Sequence, residues 1–180
     1  MRRRSIPYAA MACGALALVG LGSLAAPQAR ASGEEAYLQR FAGQWSASGK
    51  VRENAQASNR QVSCALEGSS SDTGAAIRGT CRALGIFTRD ISVELRFEPQ
   101  TGRYSGVYNG SPAGPVQLSG TRSGNVLTLD ATWPKEINGD RAATMIIRNP
   151  QPGRFTFLVV DRVEDGGPIE TMTNLTVAAL

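Results

Sequence analysis

From Ile91 to Glu98 the chain alternates without a break: Ile91, Val93, Leu95 and Phe97 are apolar, and Ser92, Glu94, Arg96 and Glu98 between them are polar or charged. A period of two with one apolar and one charged face is the mark of a half-buried antiparallel strand. Similar segments recur at a spacing of roughly ten to thirteen residues: Gln44–Arg52, Gln61–Leu66, Ala76–Ala83, Arg103–Tyr108, Val116–Thr121, Val126–Trp133, Ala142–Arg148, Arg154–Arg162 and Glu170–Ala178. Between them stand Thr101-Gly102, Asn109-Gly110, Ser123-Gly124, Asn138-Gly139, Pro152-Gly153 and Gly166-Gly167. Such pairs supply the positive φ that tight hairpins require.

After Gly43 no stretch reads as a helix of ten or more residues, and parallel strands need crossovers of about that length. The expected architecture is therefore all-β, an antiparallel up-and-down barrel of about eight to ten strands, with a two-sheet sandwich as the alternative. Closing the sheet removes the exposed edges that invite aggregation. At this strand number the interior is filled by side chains or holds one small ligand. Ahead of the strands, Ser32 to Phe41 places acids first and Tyr37, Leu38 and Phe41 after them, the spacing of a short helix or trunk.

Residues 1–31 read as a secretory leader. Arg2, Arg3 and Arg4 precede a small-residue apolar run from Ala9 to Ala26, and Ala29-Arg30-Ala31 forms an A-x-A cleavage pattern before Ser32. The expected division is a signal peptide over 1–31, a trunk over 32–41 and one barrel domain over 42–180. The destination is the periplasm or the outside of the cell, with no integral membrane span once the leader is gone. The formal charge of +4 belongs to the leader, because beyond residue 31 fifteen basic residues face fifteen acidic ones. That balance removes the basic footprint expected of a nucleic-acid partner.

Cys64 and Cys81 are the two cysteines beyond the leader, in a compartment where disulfides persist. Pairing them across a hairpin whose loop is Glu67–Ala75 sets Val62 opposite Ala83 and Leu66 opposite Gly79. All six side chains then share a face, which is the expected register for a disulfide between neighbouring strands.

The chain has no histidine. The usual general base, Ser-His-Asp and Cys-His nucleophilic sites and the common zinc sites are thereby lost. The acids Asp161, Glu164, Asp165 and Glu170 gather around a Gly-Gly-Pro turn, but their spacing is not that of a calcium loop. No glycine array has the P-loop or dinucleotide form. Gly106 and Gly120 are explained instead by close backbone approach within strands. The expectation is a protein that is not an enzyme, with no catalytic residue, cofactor or metal. Candidate ligand-binding side chains are Trp45, Phe97, Tyr104, Tyr108, Trp133 and Phe157.

Gly43-Gln44-Trp45, at the start of the first strand, resembles the Gly-x-Trp signature of lipocalins and the wider calycin group. That resemblance implies a barrel binding a small apolar molecule, with Trp45 closing one end and a basic residue packed over it, for which Arg162 is the candidate. Ala42-Gly43-Gln44-Trp45 with the early pair Cys64 and Cys81 is also similar to the Inh-type bacterial inhibitors of metalloproteases. This second resemblance implies an N-terminal trunk that enters a protease cleft, with Ser32 and then Gly33 leading. The expected partner is thus a small apolar ligand or an envelope protein, bound by a monomer; an envelope structural role is a third possibility.

Overall fold

The computed structural model describes residues 26–180, with side chains described from Gly33 onward. The leader expected over 1–31 lies outside the described residues as far as residue 25, and its last residues fall in a helix. That helix, α1 (Ala26–Gln39), is followed by ten strands: β1 (Gly43–Val51), β2 (Arg60–Ser71), β3 (Gly74–Ala83), β4 (Phe87–Glu98), β5 (Arg103–Asn109), β6 (Val116–Ser123), β7 (Val126–Ile137), β8 (Asp140–Gln151), β9 (Arg154–Arg162) and β10 (Ile169–Ala179). Each strand pairs antiparallel with its sequence neighbours, and β1 pairs with β10, so the sheet closes on itself. The barrel, not the sandwich, is the fold. Each of the ten segments recognised by alternation is one of these strands.

The inward set follows the alternation closely. In β7, Leu127, Leu129, Ala131 and Trp133 are buried, while the residues between them are exposed. Across the barrel, β9 turns Phe155, Phe157, Val159 and Asp161 inward by the same period, and the register Ile147↔Phe157 and Met145↔Val159 continues that face into β8. Gly106 and Gly120 belong to this inward set. A Cβ on Gly120 would stand 2.0 Å from the carbonyl oxygen of Thr128, and one on Gly106 would stand 2.2 Å from that of Glu94. Neighbouring backbones come too close there for any side chain.

Two differences from the sequence expectations concern element length. The hairpin loop expected over Glu67–Ala75 shrinks to Asp72 and Thr73, because β2 and β3 keep pairing out to Ser71↔Gly74. The helix, expected as a short element from Ser32, begins at Ala26. Its end tightens through backbone bonds from Arg40 N to Tyr37 O and from Phe41 N to Leu38 O, a narrower turn that satisfies terminal carbonyls.

The cysteine register is as expected. Cys64 opposes Cys81, Val62 opposes Ala83 and Leu66 opposes Gly79. The two sulfurs lie at bonding distance, 2.06 Å, and close a link between residues 17 apart. A loop of this size restricts the unfolded chain by roughly 3 kcal/mol. The Cys64→Ala, Cys81→Ala double variant is accordingly expected to unfold in denaturant with about 3 kcal/mol less stability. Equal stability of the oxidised and reduced wild-type protein would contradict this.

Candidate functional site

The two ends of the barrel differ. One end, where β1, β3, β5, β7 and β9 begin, is closed by α1. Tyr37, Leu38 and Phe41 are almost wholly buried there, at 1%, 0% and 1% exposure. Aromatic rings stack edge-on from the helix into the barrel: Tyr37 to Phe41 at 5.3 Å between centroids, Phe41 to Phe155 at 5.3 Å, and Phe155 to Trp45 at 5.2 Å. Such T-shaped contacts suit the charge distribution of aromatic rings.

The Gly-x-Trp sequence has a local reason at this end. Gly43 turns the chain from helix to strand at φ +127°, a value L side chains rarely adopt. Two residues on, the Trp45 indole N–H donates to the carbonyl of Phe41 at 3.0 Å. Gly68 on β2 leaves room for that carbonyl, since a Cβ there would lie 1.8 Å from it.

A polar lock holds the helix in place. Glu34 accepts two bonds from Arg122 at the end of β6, from Nε and Nη2, both at 2.7 Å, and a third from the Tyr104 hydroxyl. The Arg122 guanidinium lies 4.7 Å from the centre of the Tyr37 ring. Arg40 reaches the carbonyl of Asn149 at 2.8 Å and the Asn125 side chain at 3.1 Å. Arg162, the candidate for packing over Trp45, is at the other end. There its guanidinium meets Asp140 at 3.1 Å and the carbonyl of Gly167 at 2.8 Å. The cations over the aromatic plug are Arg122 and Arg40 instead, supplied by β6 and by the turn that follows α1.

Toward the other end the barrel encloses a cavity of about 600 Å³. Phe41, Leu66, Leu95 and Phe155 lie toward its closed end, Ile77, Val93, Phe157, Val159 and Leu175 line its walls, and the Cys64–Cys81 link faces it as well. The mouth is formed by the β1–β2, β3–β4, β5–β6, β7–β8 and β9–β10 connections. Three of the six expected ligand-binding side chains, Tyr108, Trp133 and Phe157, line this cavity. Trp45 touches Phe155 without lining it, and Phe97 and Tyr104 pack on each other at 5.2 Å in the closed end. Of the trunk residues, Gly33 is exposed and Ser32 lies in α1, ahead of the described side chains. From Glu34 onward the trunk is tied to the barrel.

Burial decides the protonation of several groups. Desolvation raises the ionisation of Tyr108 above its ordinary value, with the nearby Arg89 partly opposing it. Tyr37 and Tyr104 are also raised, by burial first, with the Glu34 hydrogen bond second for Tyr104. Asp161 is raised too, because burial outweighs the bonds it accepts from the Arg162 backbone N–H at 2.7 Å and the Trp133 indole at 3.0 Å. Among the described residues no three His, Cys, Asp or Glu side chains come together to hold a metal. Of the acids that gather in sequence, Glu170 and Asp161 stay opposite each other on neighbouring strands but are engaged separately, Glu170 by Arg52 and Asp161 by the Trp133 indole. The Glu34–Arg122 lock, between residues 88 apart, had no local sequence signal.

No family model matches this chain, and no curated protein matches it at a significant level. The chemistry of the cavity has to stand for itself.

Two tests address the closed end. Glu34→Gln leaves a largely buried guanidinium without its acid and is expected to lower stability by roughly 2 kcal/mol, less than the loss at a fully buried pair. A denaturation midpoint equal to wild type would count against the lock. A raised tyrosine stabilises the fold below its unfolded value of 10.0, and that contribution is lost as pH climbs through the folded value. Near-UV absorbance of the protein lacking residues 1–31 should therefore show little tyrosinate around pH 10 and then a cooperative rise as the barrel unfolds. Ordinary non-cooperative titration would refute it.

Proposed function

We propose that this protein is an exported, non-enzymatic carrier that holds one small apolar molecule in the open half of its barrel. The observation that supports this most is the cavity itself, about 600 Å³ with mainly apolar walls. Its size falls within the range of known small-molecule sites. A core meant only for stability is packed to the density of an organic crystal and leaves few voids larger than a water molecule. Here the packing is divided: aromatic rings fill the half under α1, and the half toward the mouth is left open. The disulfide on the cavity wall fits an oxidising compartment, periplasmic or external. Polar groups on the cavity wall, Tyr108, Trp133 and Asp161 among them, would orient a guest whose binding energy comes from apolar burial.

The neutral probe N-phenyl-1-naphthylamine is expected to bind saturably, one molecule per chain, with enhanced blue-shifted fluorescence. Ala75→Trp fills part of the lumen and should weaken that binding about tenfold or more, equivalent to about 1.4 kcal/mol of lost burial. Absence of saturable binding by the wild-type protein would remove the proposal.

A further inference from the structure

The inward face of the barrel carries a few charged residues, and their partners can be compared. At the closed end Arg122 is neutralised by Glu34 at 2.7 Å. Asp161 is engaged on both oxygens by N–H groups. At the mouth, Arg60 is inward by its register with Val51 and pairs with Glu53 at 3.6 Å. Glu170, opposite Asp161, pairs with Arg52. Arg89 has no such partner. Its register opposite Cys81 puts it on the inward face of β4, and it lines the cavity. Among the described residues no acid lies within salt-bridge distance of it, and the one acceptor it meets is the carbonyl of Gly110 at 3.0 Å.

A second polar group converges on the same spot. A Cβ on Gly110 would lie 2.8 Å from the Tyr108 hydroxyl, so the Arg89 guanidinium and the Tyr108 O–H approach one glycine from two strands. Both line the cavity just inside its mouth. A guanidinium presents five N–H donors in a planar fork suited to a carboxylate. One carbonyl leaves most of that fork unused. Arg82, at the rim of the same hairpin, adds another positive charge with no acid in salt-bridge reach among the described residues. The chain beyond residue 31 is balanced in charge, so this preference for an anion is local.

We infer that the guest is a single-chain amphiphile with a carboxylate head, its apolar chain in the lumen and its head held at the mouth by Arg89 with the Tyr108 hydroxyl as second donor. This inference rests on the apolar-cavity proposal and narrows it. Arg89 is solvent-exposed, as the anchor of a head that stays at the water boundary should be. The apolar wall leading inward from it, Ile91, Val93 and Leu95 on the same face of β4, gives the chain a continuous path toward Phe41 and Phe155.

Laurate, dodecanol and dodecyltrimethylammonium share a chain and differ in the head, so calorimetric titration above neutral pH separates the two levels of the proposal. Laurate is expected to bind about tenfold tighter than dodecanol, the gain of a charge-assisted hydrogen bond. Arg89→Gln should remove that preference while leaving dodecanol affinity and the melting temperature near wild type, and Arg89→Lys should retain part of it. Equal affinity of the wild-type protein for laurate and dodecanol would overturn the assignment of the head and leave the apolar carrier standing. So would a laurate preference that survives Arg89→Gln, or a preference for the ammonium. If none of the three binds, both proposals fall.

Discussion

The hydrogen-bond ladder between β1 and β10 is the contact on which the rest of the molecule depends. Without it the ten strands form an open meander with two unpaired edges, and the inward side chains face water. With it, the pairing from Trp45↔Ala179 to Val51↔Thr173 turns one apolar face into a lumen. Closure also sets a demand: a tube has two ends, and each needs a separate solution. One is filled from within the chain by α1, and the other is left to solvent and to what enters from it.

The same inward face therefore has two characters along its length. Under α1 the rings of Tyr37, Phe41, Phe155 and Trp45 interlock, and the charges that come close to them are locked by the Glu34–Arg122 pair. Beyond Phe41 and Phe155 aliphatic side chains join Tyr108, Trp133 and Phe157 around an open lumen. Ile77, Val93, Val159 and Leu175 line space there instead of filling it. Charges at the mouth are sorted the same way. Those with a neighbouring acid or base are spoken for, and Arg89 is left with a backbone carbonyl.

What could be read in advance depended on the range over which a residue acts. Alternation and turn glycines are local, and they located all ten strands. The register of β2 on β3 was legible because two cysteines pin it, and once pinned it carries Val62, Leu66, Ala83 and Gly79 with it. One step more would have reached Arg89, since the β3–β4 turn places it across from Cys81. Contacts across the barrel were not legible. Glu34 meets Arg122 because the helix folds over the end of the barrel, and Trp133 meets Asp161 because two strands that are not sheet neighbours face a common lumen; nothing near either residue announces it. Arg162 failed as a partner of Trp45 for a related reason: it ends a strand that starts beside the Trp, and the strand's length carries it to the opposite rim. The aromatic candidates divided along the same axis, Tyr108, Trp133 and Phe157 toward the open half and Trp45, Phe97 and Tyr104 in or beside the plug.

The join between β1 and β10 also shapes how the molecule reaches its native state. Each hairpin can form from neighbouring sequence, but closure must wait for Ile169–Ala179 to find a strand more than a hundred residues earlier. Contacts of such separation slow folding, because the entropy of closing the long loop is spent before its contacts are gained. During synthesis the growing chain cannot complete its barrel until the C-terminal strand has emerged, so the lumen and whatever it holds come into being last.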